Sequence, residues 1–151
     1  MKIVIQRVLR GAATVNGETV GSIQKGMVVL IGIDREDTQD DMDYIVRKIL
    51  TIRIWPNEEE RPWRLNIKNI NGSILMASQF TLMHKSKGTK PDFHRAMAPE
   101  GALEMFNRIC DKLRAEYDPE KIATGKFQSY SSIDIVNDGP VTFIVDSKNR
   151  E

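Results

Sequence analysis

The sequence predicts one mixed α/β domain rather than a doubly wound parallel sheet, because strand-like segments are many and long helical patterns are only two. The chain has 151 residues, of which 40% are hydrophobic. That size and composition suit a single domain, 1–151, with one sizeable core. No internal repeat or linker divides the sequence.

Seven segments have the β-branched or alternating apolar pattern of strands. They are residues 3–9, 14–20, 27–33, 52–55, 73–82, 132–136 and 141–145. The second contains Asn16-Gly17, which is a strong signal for a two-residue hairpin turn. The third is a continuous apolar run, which is typical of a strand buried on both faces.

Two amphipathic patterns predict the helices. The first begins after Asp37 or Thr38 as the N-cap, and its acidic first turn suits the positive end of the helix dipole. The second begins at Pro99, a favoured first position, and carries an apolar face from Leu103 to Tyr117. Residues 84–95, which precede it, are expected to form a basic loop.

Charge and cysteine content exclude several classes of protein. With 22 basic and 21 acidic residues the formal charge is +1, so contact with a polyanion requires a local patch. The single Cys110 excludes an internal disulfide and is expected to be buried. Arg7 and Arg10 interrupt the opening apolar run, and no stretch is long enough to span a membrane. We therefore expect a soluble, cytoplasmic protein without membrane contact.

The common catalytic motifs are missing from the sequence. His84 and His94 are ten residues apart, match no common zinc pattern, and are expected at a loop surface. Neither a Gly-x-Ser-x-Gly elbow nor a glycine-rich phosphate loop occurs. An enzyme built on this chain would use no metal or cofactor, so its reaction must be easy or its substrate must supply a reactive group.

Two short segments place polar and special-backbone residues against strand-like sequence. Residues 78–82 read Ser-Gln-Phe-Thr-Leu, and residues 137–142 read Asn-Asp-Gly-Pro-Val-Thr. Gly139 can adopt a positive φ and allow another backbone to come close, whereas Pro140 lacks an N–H group. We expect a turn at Gly139-Pro140 that presents main-chain atoms to a ligand.

The basic loop carries the strongest local positive charge. Lys85, Lys87, Lys90 and Arg95 surround Phe93, and these residue types suit phosphate contact combined with stacking on single-stranded nucleic acid. A solvated surface loop is the alternative interpretation. The two tryptophans, at positions 55 and 63, are expected in the core or in a lid.

Taken together, several motifs resemble the D-aminoacyl-tRNA deacylase (D-tyrosyl-tRNA deacylase) family over almost the whole chain. They are the opening residues 1–8, Gly32-Ile33 with Asp37-Thr38, the 78–82 and 137–142 segments, and residues 87–94, which are similar to eukaryotic-type members. The resemblance implies a homodimeric hydrolase that cleaves the ester between a D-amino acid and the 3′-terminal adenosine of tRNA. It also implies a barrel-like, layered fold of mixed, mostly antiparallel sheets with two main helices packed on one side.

The resemblance also assigns roles to residues. Gly139 and Pro140 would form a cis pair that enters the partner subunit's pocket and rejects L-amino acids, so that achiral glycyl-tRNA would escape rejection. Asn137, Val141 and Thr142 would support that motif. Ser78, Gln79, Phe80, Thr81, Phe127 and Ser129 would bind the substrate. Phe80 and Thr81 would be catalytic: their N–H groups would stabilise the oxyanion, and the ribose 2′-OH rather than Thr81 would activate water.

One departure from the family pattern follows Phe127. The family usually has Phe-Gly-Ala-x-Met, whereas this chain has Gln128, Ser129, Tyr130 and Ser131 after the phenylalanine. Altered activity or a simple surface change would both be consistent with this. Two other functions remain open on the residues alone: a non-catalytic nucleic-acid-binding module using the basic loop, and an interaction protein in which Gly139-Pro140 is only a tight turn.

Overall fold

The computed structural model describes residues 1–150. Within that range, eight strands and two α-helices follow one another in the order βββαβββαββ. The strands are β1 (Lys2–Val15), β2 (Glu18–Ile23), β3 (Gly26–Gly32), β4 (Ser73–Ser78), β5 (Lys85–Lys87), β6 (Lys90–Asp92), β7 (Ile122–Thr124) and β8 (Ser132–Asp146). The helices are α1 (Gln39–Thr51) and α2 (Pro99–Glu116), and 3₁₀ helices span Phe80–Met83 and Pro119–Lys121.

Six of the described strands form one mixed sheet. Five of them follow the order β2-β1-β3-β4-β7, and the sixth, β8, pairs with β1 along residues 2–14. β3, β4 and β7 are parallel, whereas the other pairings are antiparallel. At Gly21 in β2, an added Cβ atom would lie 2.3 Å from the carbonyl oxygen of Thr124 in β7. The sheet therefore curls until its β2 edge reaches β7. The predicted barrel-like α/β fold is confirmed.

The two faces of the sheet belong to different hydrophobic clusters, because side chains alternate along a strand. On β3, Met27, Val29 and Ile31 join the main core, to which both helices contribute their apolar faces. Val28 points the other way and packs with Leu75 in a smaller cluster. β3 is thus buried on both faces, as its continuous apolar run predicts.

The start of α1 is held by a buried polar network. Thr38, not Asp37, is the N-cap and forms a capping box with Asp41. The Asp41 carboxylate also accepts hydrogen bonds from Ser147 Oγ and Lys148 Nζ, each at 2.7 Å. Burial acts to raise the pKa of Asp41, but these hydrogen bonds outweigh it and hold the pKa well below its usual range. Lys148, expected in a polar tail, therefore anchors the end of the chain to α1.

Four of the predicted strand segments differ in the structure. The expected strand 73–82 ends at Ser78, and a 3₁₀ helix follows. The segments 132–136 and 141–145 are one strand, β8, because both halves pair with β1, which itself continues to Val15. Residues 52–55 form no strand: Trp55 makes a single bridge, to Leu65, and is buried.

Other segments also differ from their predictions. The basic loop forms a small hairpin of β5 and β6, in which Gly88 has a φ of +71°. The strand β7 was not predicted, since three residues carry too little periodicity to be recognised. Leu103, expected on the buried face of α2, is 40% exposed. The buried position of Cys110 and the Asn16-Gly17 hairpin turn are confirmed.

Candidate functional site

The 78–83 segment turns sharply away from the sheet where β4 ends. The Gln79 N–H donates to the carbonyl oxygen of Ile31 at 2.7 Å, which is the last backbone hydrogen bond of this segment to β3. The chain then forms the 3₁₀ helix, and the Leu82 N–H donates to the Gln79 carbonyl at 3.1 Å. The turn places Phe80 and Thr81 at the edge of the sheet, with Phe80 58% exposed.

Gly32 provides the space that this turn requires. A Cβ atom on Gly32 would lie 2.8 Å from Leu82 Cβ and 3.0 Å from the Gln79 carbonyl oxygen. Real Cβ atoms essentially never approach others within 3.0 Å. A larger residue would therefore displace the 78–83 segment or the end of β3.

The polar groups of the 78–83 segment are only partly used within the protein. The Gln79 side-chain amide donates to Thr81 Oγ, and no carboxylate or imidazole of residues 1–150 hydrogen-bonds this hydroxyl. The backbone N–H groups of Phe80 and Thr81 have no acceptor in the same range, since they begin a 3₁₀ helix. The arrangement offers two N–H donors to a ligand but no base that would activate Thr81.

The Gly-Pro bulge, residues 138–141, is an insertion within β8 rather than a turn between two strands. A step of two residues on β1, from Gln6 to Val8, corresponds to a step of five on β8, from Thr142 to Asn137. The extra residues protrude from the ladder. Within the bulge the Gly139-Pro140 bond is cis, Gly139 has a φ of +125°, and both residues are exposed.

Arg7 holds this bulge, a role that was not predicted from the sequence. Its Nε donates to the Asp138 carbonyl oxygen at 3.1 Å and lies 3.3 Å from the Asp138 carboxylate. Its Nη1 donates to the carbonyl oxygen of Ile54. The Arg7 side chain is 15% exposed. A charged residue in an otherwise apolar strand was the available signal, because a buried guanidinium needs partners.

The two signature segments lie far apart on one chain. Ser78 pairs with Ile31 of β3, Ile31 pairs with Ile3 of β1, and Ile3 pairs with Val145 of β8. Ser78 and Val145 therefore lie at the same height along the sheet. The bulge lies opposite Gln6 to Val8, about 10–16 Å further along β1 and β8 at 3.3 Å per residue. Three strand spacings add about 14 Å across the sheet. The separation along the sheet is therefore roughly 20 Å, and one chain does not bring the segments together.

The basic hairpin is attached to the 78–83 segment by an aromatic contact. The rings of Phe80 and Phe93 meet edge-to-face with centroids 5.1 Å apart. Lys85, Lys87 and Lys90 are exposed on the hairpin and pair with no carboxylate of residues 1–150.

Arg95, at the base of the hairpin, is already engaged within the protein. It makes two hydrogen bonds to the Asp34 carboxylate, at 2.9 and 3.0 Å, and one to Glu36 at 3.0 Å. Burial acts to raise the pKa of Asp34, but the bonds from Arg95 and the Glu36 N–H outweigh it and lower that pKa. This geometry suits anchoring of the hairpin better than free contact with RNA.

The segment that departs from the family pattern lies beside α2. Phe127 packs on Phe106 with ring centroids 6.0 Å apart. Gln128 has a φ of +56°, in the left-handed region where a side chain is disfavoured and glycine is not. Ser129 is half-buried and Tyr130 fully exposed. The chain thus has Gln128 in place of the family's glycine, at a position whose backbone conformation favours glycine.

Within residues 1–150, the histidines and acidic groups form no recognisable metal centre. His84 and His94 are both exposed, as expected. No group of three or more His, Cys, Asp or Glu side chains within residues 1–150 is arranged to hold a metal ion. In the same range, no helix has the length and apolar content needed to cross a bilayer.

Comparison with known proteins decides the family. The family model described as D-Tyr-tRNA(Tyr) deacylase matches residues 4–146. The chain belongs to this family. Among curated members, D-aminoacyl-tRNA deacylase 1 of Leishmania major is 62% identical over 151 residues, covering 99% of each chain. D-aminoacyl-tRNA deacylase 1 of Homo sapiens is 45% identical over 147 residues, covering 97% of this chain and 70% of the human protein.

Solved structures give the same fold. A structure titled c-Myc DNA Unwinding Element Binding Protein is 44% identical, covers 97% of this chain and 98% of its own, and has a TM-score of 0.94. A probable eukaryotic D-amino acid tRNA deacylase has a TM-score of 0.81 over 95% of this chain and 97% of its own. At 19% identity, the second structure supports the fold alone.

Proposed function

We propose that this chain hydrolyses the ester bond between a D-amino acid and the 3′-terminal adenosine of tRNA, and so removes D-amino acids from charged tRNA in the cytoplasm. The observation that carries the proposal is the match to the family over residues 4–146, with a curated deacylase 62% identical over the whole length. Both signature segments are present, with Phe80 exposed beyond the end of β4 and Gly139 and Pro140 exposed in the bulge of β8.

The proposed chemistry relies on positioning rather than on a protein nucleophile. An aminoacyl ester is already activated, and its neighbouring ribose 2′-OH offers intramolecular assistance to an attacking water. The free N–H groups of Phe80 and Thr81 suit the oxyanion that forms on the ester carbonyl. Ser78 and Gln79 would form the floor of the pocket that holds the terminal adenosine and its aminoacyl group. The absence of a base beside Thr81 within residues 1–150 agrees with a substrate-assisted route.

Chiral selection is proposed to need a second copy of the chain. The Gly-Pro bulge is roughly 20 Å along the sheet from the 78–83 segment of its own chain. In a homodimer the bulge of one protomer would enter the pocket of the other, with Asn137, Val141 and Thr142 at its base. Main-chain atoms there would clash with an L-side chain and ignore its identity. Glycine has no side chain to reject, so glycyl-tRNA is a further expected substrate.

The basic hairpin is the proposed contact for the tRNA body. Lys85, Lys87 and Lys90 are exposed cations without carboxylate partners within residues 1–150. The Phe80–Phe93 contact keeps them beside the 78–83 segment. We assign Arg95, also a candidate contact, to anchoring of the hairpin through Asp34. Phe127 and Ser129 remain proposed lining residues of the pocket.

A second function is favoured by one observation, the 0.94 TM-score and 44% identity to a protein titled as binding a DNA unwinding element. Incubation of the protein with D-Tyr-tRNA, with and without excess duplex DNA, separates the two. If the protein still releases D-tyrosine in the presence of excess duplex DNA, the deacylase function is supported. Tight duplex binding without any release of D-tyrosine would support a nucleic-acid-binding module instead.

A further inference from the structure

A small pocket opens at the end of the sheet beside the 78–83 segment. Its volume is about 190 Å³, roughly that of six water molecules. Its floor includes the buried side chains of Met1 and Met83. Its walls are mostly charged, and they are formed by Lys2, Asp34, His84, Lys85, Arg95, Asp146 and Lys148.

The carboxylates of this pocket already have partners. Asp34 is held by two hydrogen bonds from Arg95. Asp146 accepts from the backbone N–H of Lys148 at 2.9 Å and lies opposite Lys2 in the β1–β8 pairing, with no ion pair between the two side chains.

Two cations of the pocket are left over. Lys148 pairs with Asp41, outside the pocket, at 2.7 Å. Lys2 and Lys85 pair with no carboxylate of residues 1–150. Lys2 and Lys85 are therefore the two cations of the pocket lining that remain available to pair with an anion.

The pocket adjoins the place where the ester would be cleaved. His84 Nδ1 lies 3.0 Å from the Thr81 carbonyl oxygen. Since a carbonyl only accepts, Nδ1 carries the proton and donates it. Lys85 follows directly, four residues after Thr81, which places its backbone within about 13 Å of Thr81 in an extended chain. In an aminoacylated tRNA, the phosphate nearest the ester is the one that joins the terminal adenosine to the preceding nucleotide.

We propose that this pocket binds that internucleotide phosphate, with the ammonium groups of Lys2 and Lys85 as its ligands. The inference rests on the proposed function and adds a subsite to it. The pocket anchors the terminal nucleotide by its backbone, so it contributes equally for every amino acid. Lys2 joins the site although it lies in β1, because β1 begins beside the end of β3 and the turn into the 78–83 segment.

The test compares a substrate that has the phosphate with one that lacks it. Hydrolysis of D-Tyr-tRNA and of D-tyrosyl-adenosine is measured for Lys2→Ala, Lys85→Ala and the double variant. Lys25→Ala is the matched control, since Lys25 is exposed in the turn before β3, at the opposite end of that strand. Lys85→Arg keeps the charge and a phosphate-binding geometry.

We expect the double variant to lose about 10-fold in kcat/KM on D-Tyr-tRNA, from two charged contacts near the surface. On D-tyrosyl-adenosine it should stay within about twofold of wild type, because no phosphate contact is lost there. The slope of log kcat/KM on log salt for the tRNA should become shallower by about 0.7 for one phosphate contact. Lys85→Arg and Lys25→Ala should resemble wild type on both substrates.

An equal loss on both substrates would overturn the subsite, because the lysines would then act on the fold or on the ester itself. Unchanged kcat/KM and salt slope on D-Tyr-tRNA would also overturn it. So would an unchanged kcat/KM of the double variant on the D-tyrosyl ester of the dinucleotide cytidylyl-(3′→5′)-adenosine, which keeps this phosphate but lacks the tRNA body that Lys85 could otherwise contact. A wild-type protein that hydrolyses neither substrate would overturn the proposed function, and the subsite with it. Wild-type activity on both with no difference between variants would refute the subsite alone.

Discussion

Replacing Arg7 with methionine should loosen the Gly-Pro bulge while keeping most of the buried volume. The change removes the hydrogen bonds from Arg7 to the carbonyl oxygens of Asp138 and Ile54. A hydrogen bond from a charged donor contributes about 1.5–3 kcal/mol, and the ion pair with the partly exposed Asp138 adds less than about 1 kcal/mol. We expect a loss of about 3 kcal/mol in the free energy of unfolding, or about 6–12 °C in Tm for a chain of this size.

The loosened bulge should also weaken the rejection of L-substrates. We expect the ratio of D- to L-Tyr-tRNA hydrolysis to fall at least about tenfold for Arg7→Met, which corresponds to about 1.4 kcal/mol of discrimination. Initial rates on both esters and urea unfolding measure the two effects. Arg10→Met is the control, because Arg10 is exposed in the same strand. A folded Arg7→Met protein with an unchanged ratio would show that Arg7 supports the fold but does not position a selective bulge.

Three further predictions test the site and its support. Gly32→Ala should lower the free energy of unfolding by about 1–3 kcal/mol and reduce kcat/KM, because the added methyl group crowds the 78–83 segment. Gly125→Ala is the control and should do neither, since its Cβ would lie 3.7 Å from the nearest neighbour. Equal effects of the two substitutions would contradict this prediction. Thr81→Ala should keep kcat/KM within about tenfold of wild type, and complete loss with tRNA binding intact would make Thr81 the nucleophile. Hydrogen bonds to Asp41 outweigh burial and lower the pKa of its carboxyl group in the folded state. They therefore stabilise the fold at pH values above the ordinary carboxyl pKa of 3.8, and this stabilisation is lost as the pH falls below 3.8. Asp41→Asn should therefore flatten the acid side of the unfolding free energy against pH, whereas Asp134→Asn, at an exposed position, should leave it unchanged.

Periodic segments were the easiest part of the fold to predict. The helices α1 and α2 and the strand β3 bury continuous or regularly spaced apolar residues, so their patterns carry the information. The end of β4 was not predicted, because Phe80 and Leu82 continue a strand-like composition. The turn after Ser78 depends on the room that Gly32, distant in sequence, leaves for the Gln79 carbonyl.

The functional segments were found by composition, but their geometry was not. Gly139 and Pro140 predict a break in regular pairing, yet whether the chain reverses there depends on its neighbour. Since β1 runs continuously alongside, the break became a bulge inside one strand. In the sequence, Arg7 is only an interruption of an apolar run, and its contact with Asp138 joins residues 131 positions apart. The charge within the apolar run signals that Arg7 needs a partner, but no local pattern identifies Asp138 as that partner.

The central proposal is that the chain hydrolyses D-aminoacyl-tRNA and rejects the L-enantiomer. The most direct test incubates the protein with D-Tyr-tRNA and L-Tyr-tRNA in parallel, with a chelator present. The account predicts rapid release of tyrosine from the D-ester alone. Equal rates on the two esters would contradict the proposed selection by the Gly-Pro bulge, and no release from either would contradict the proposed activity.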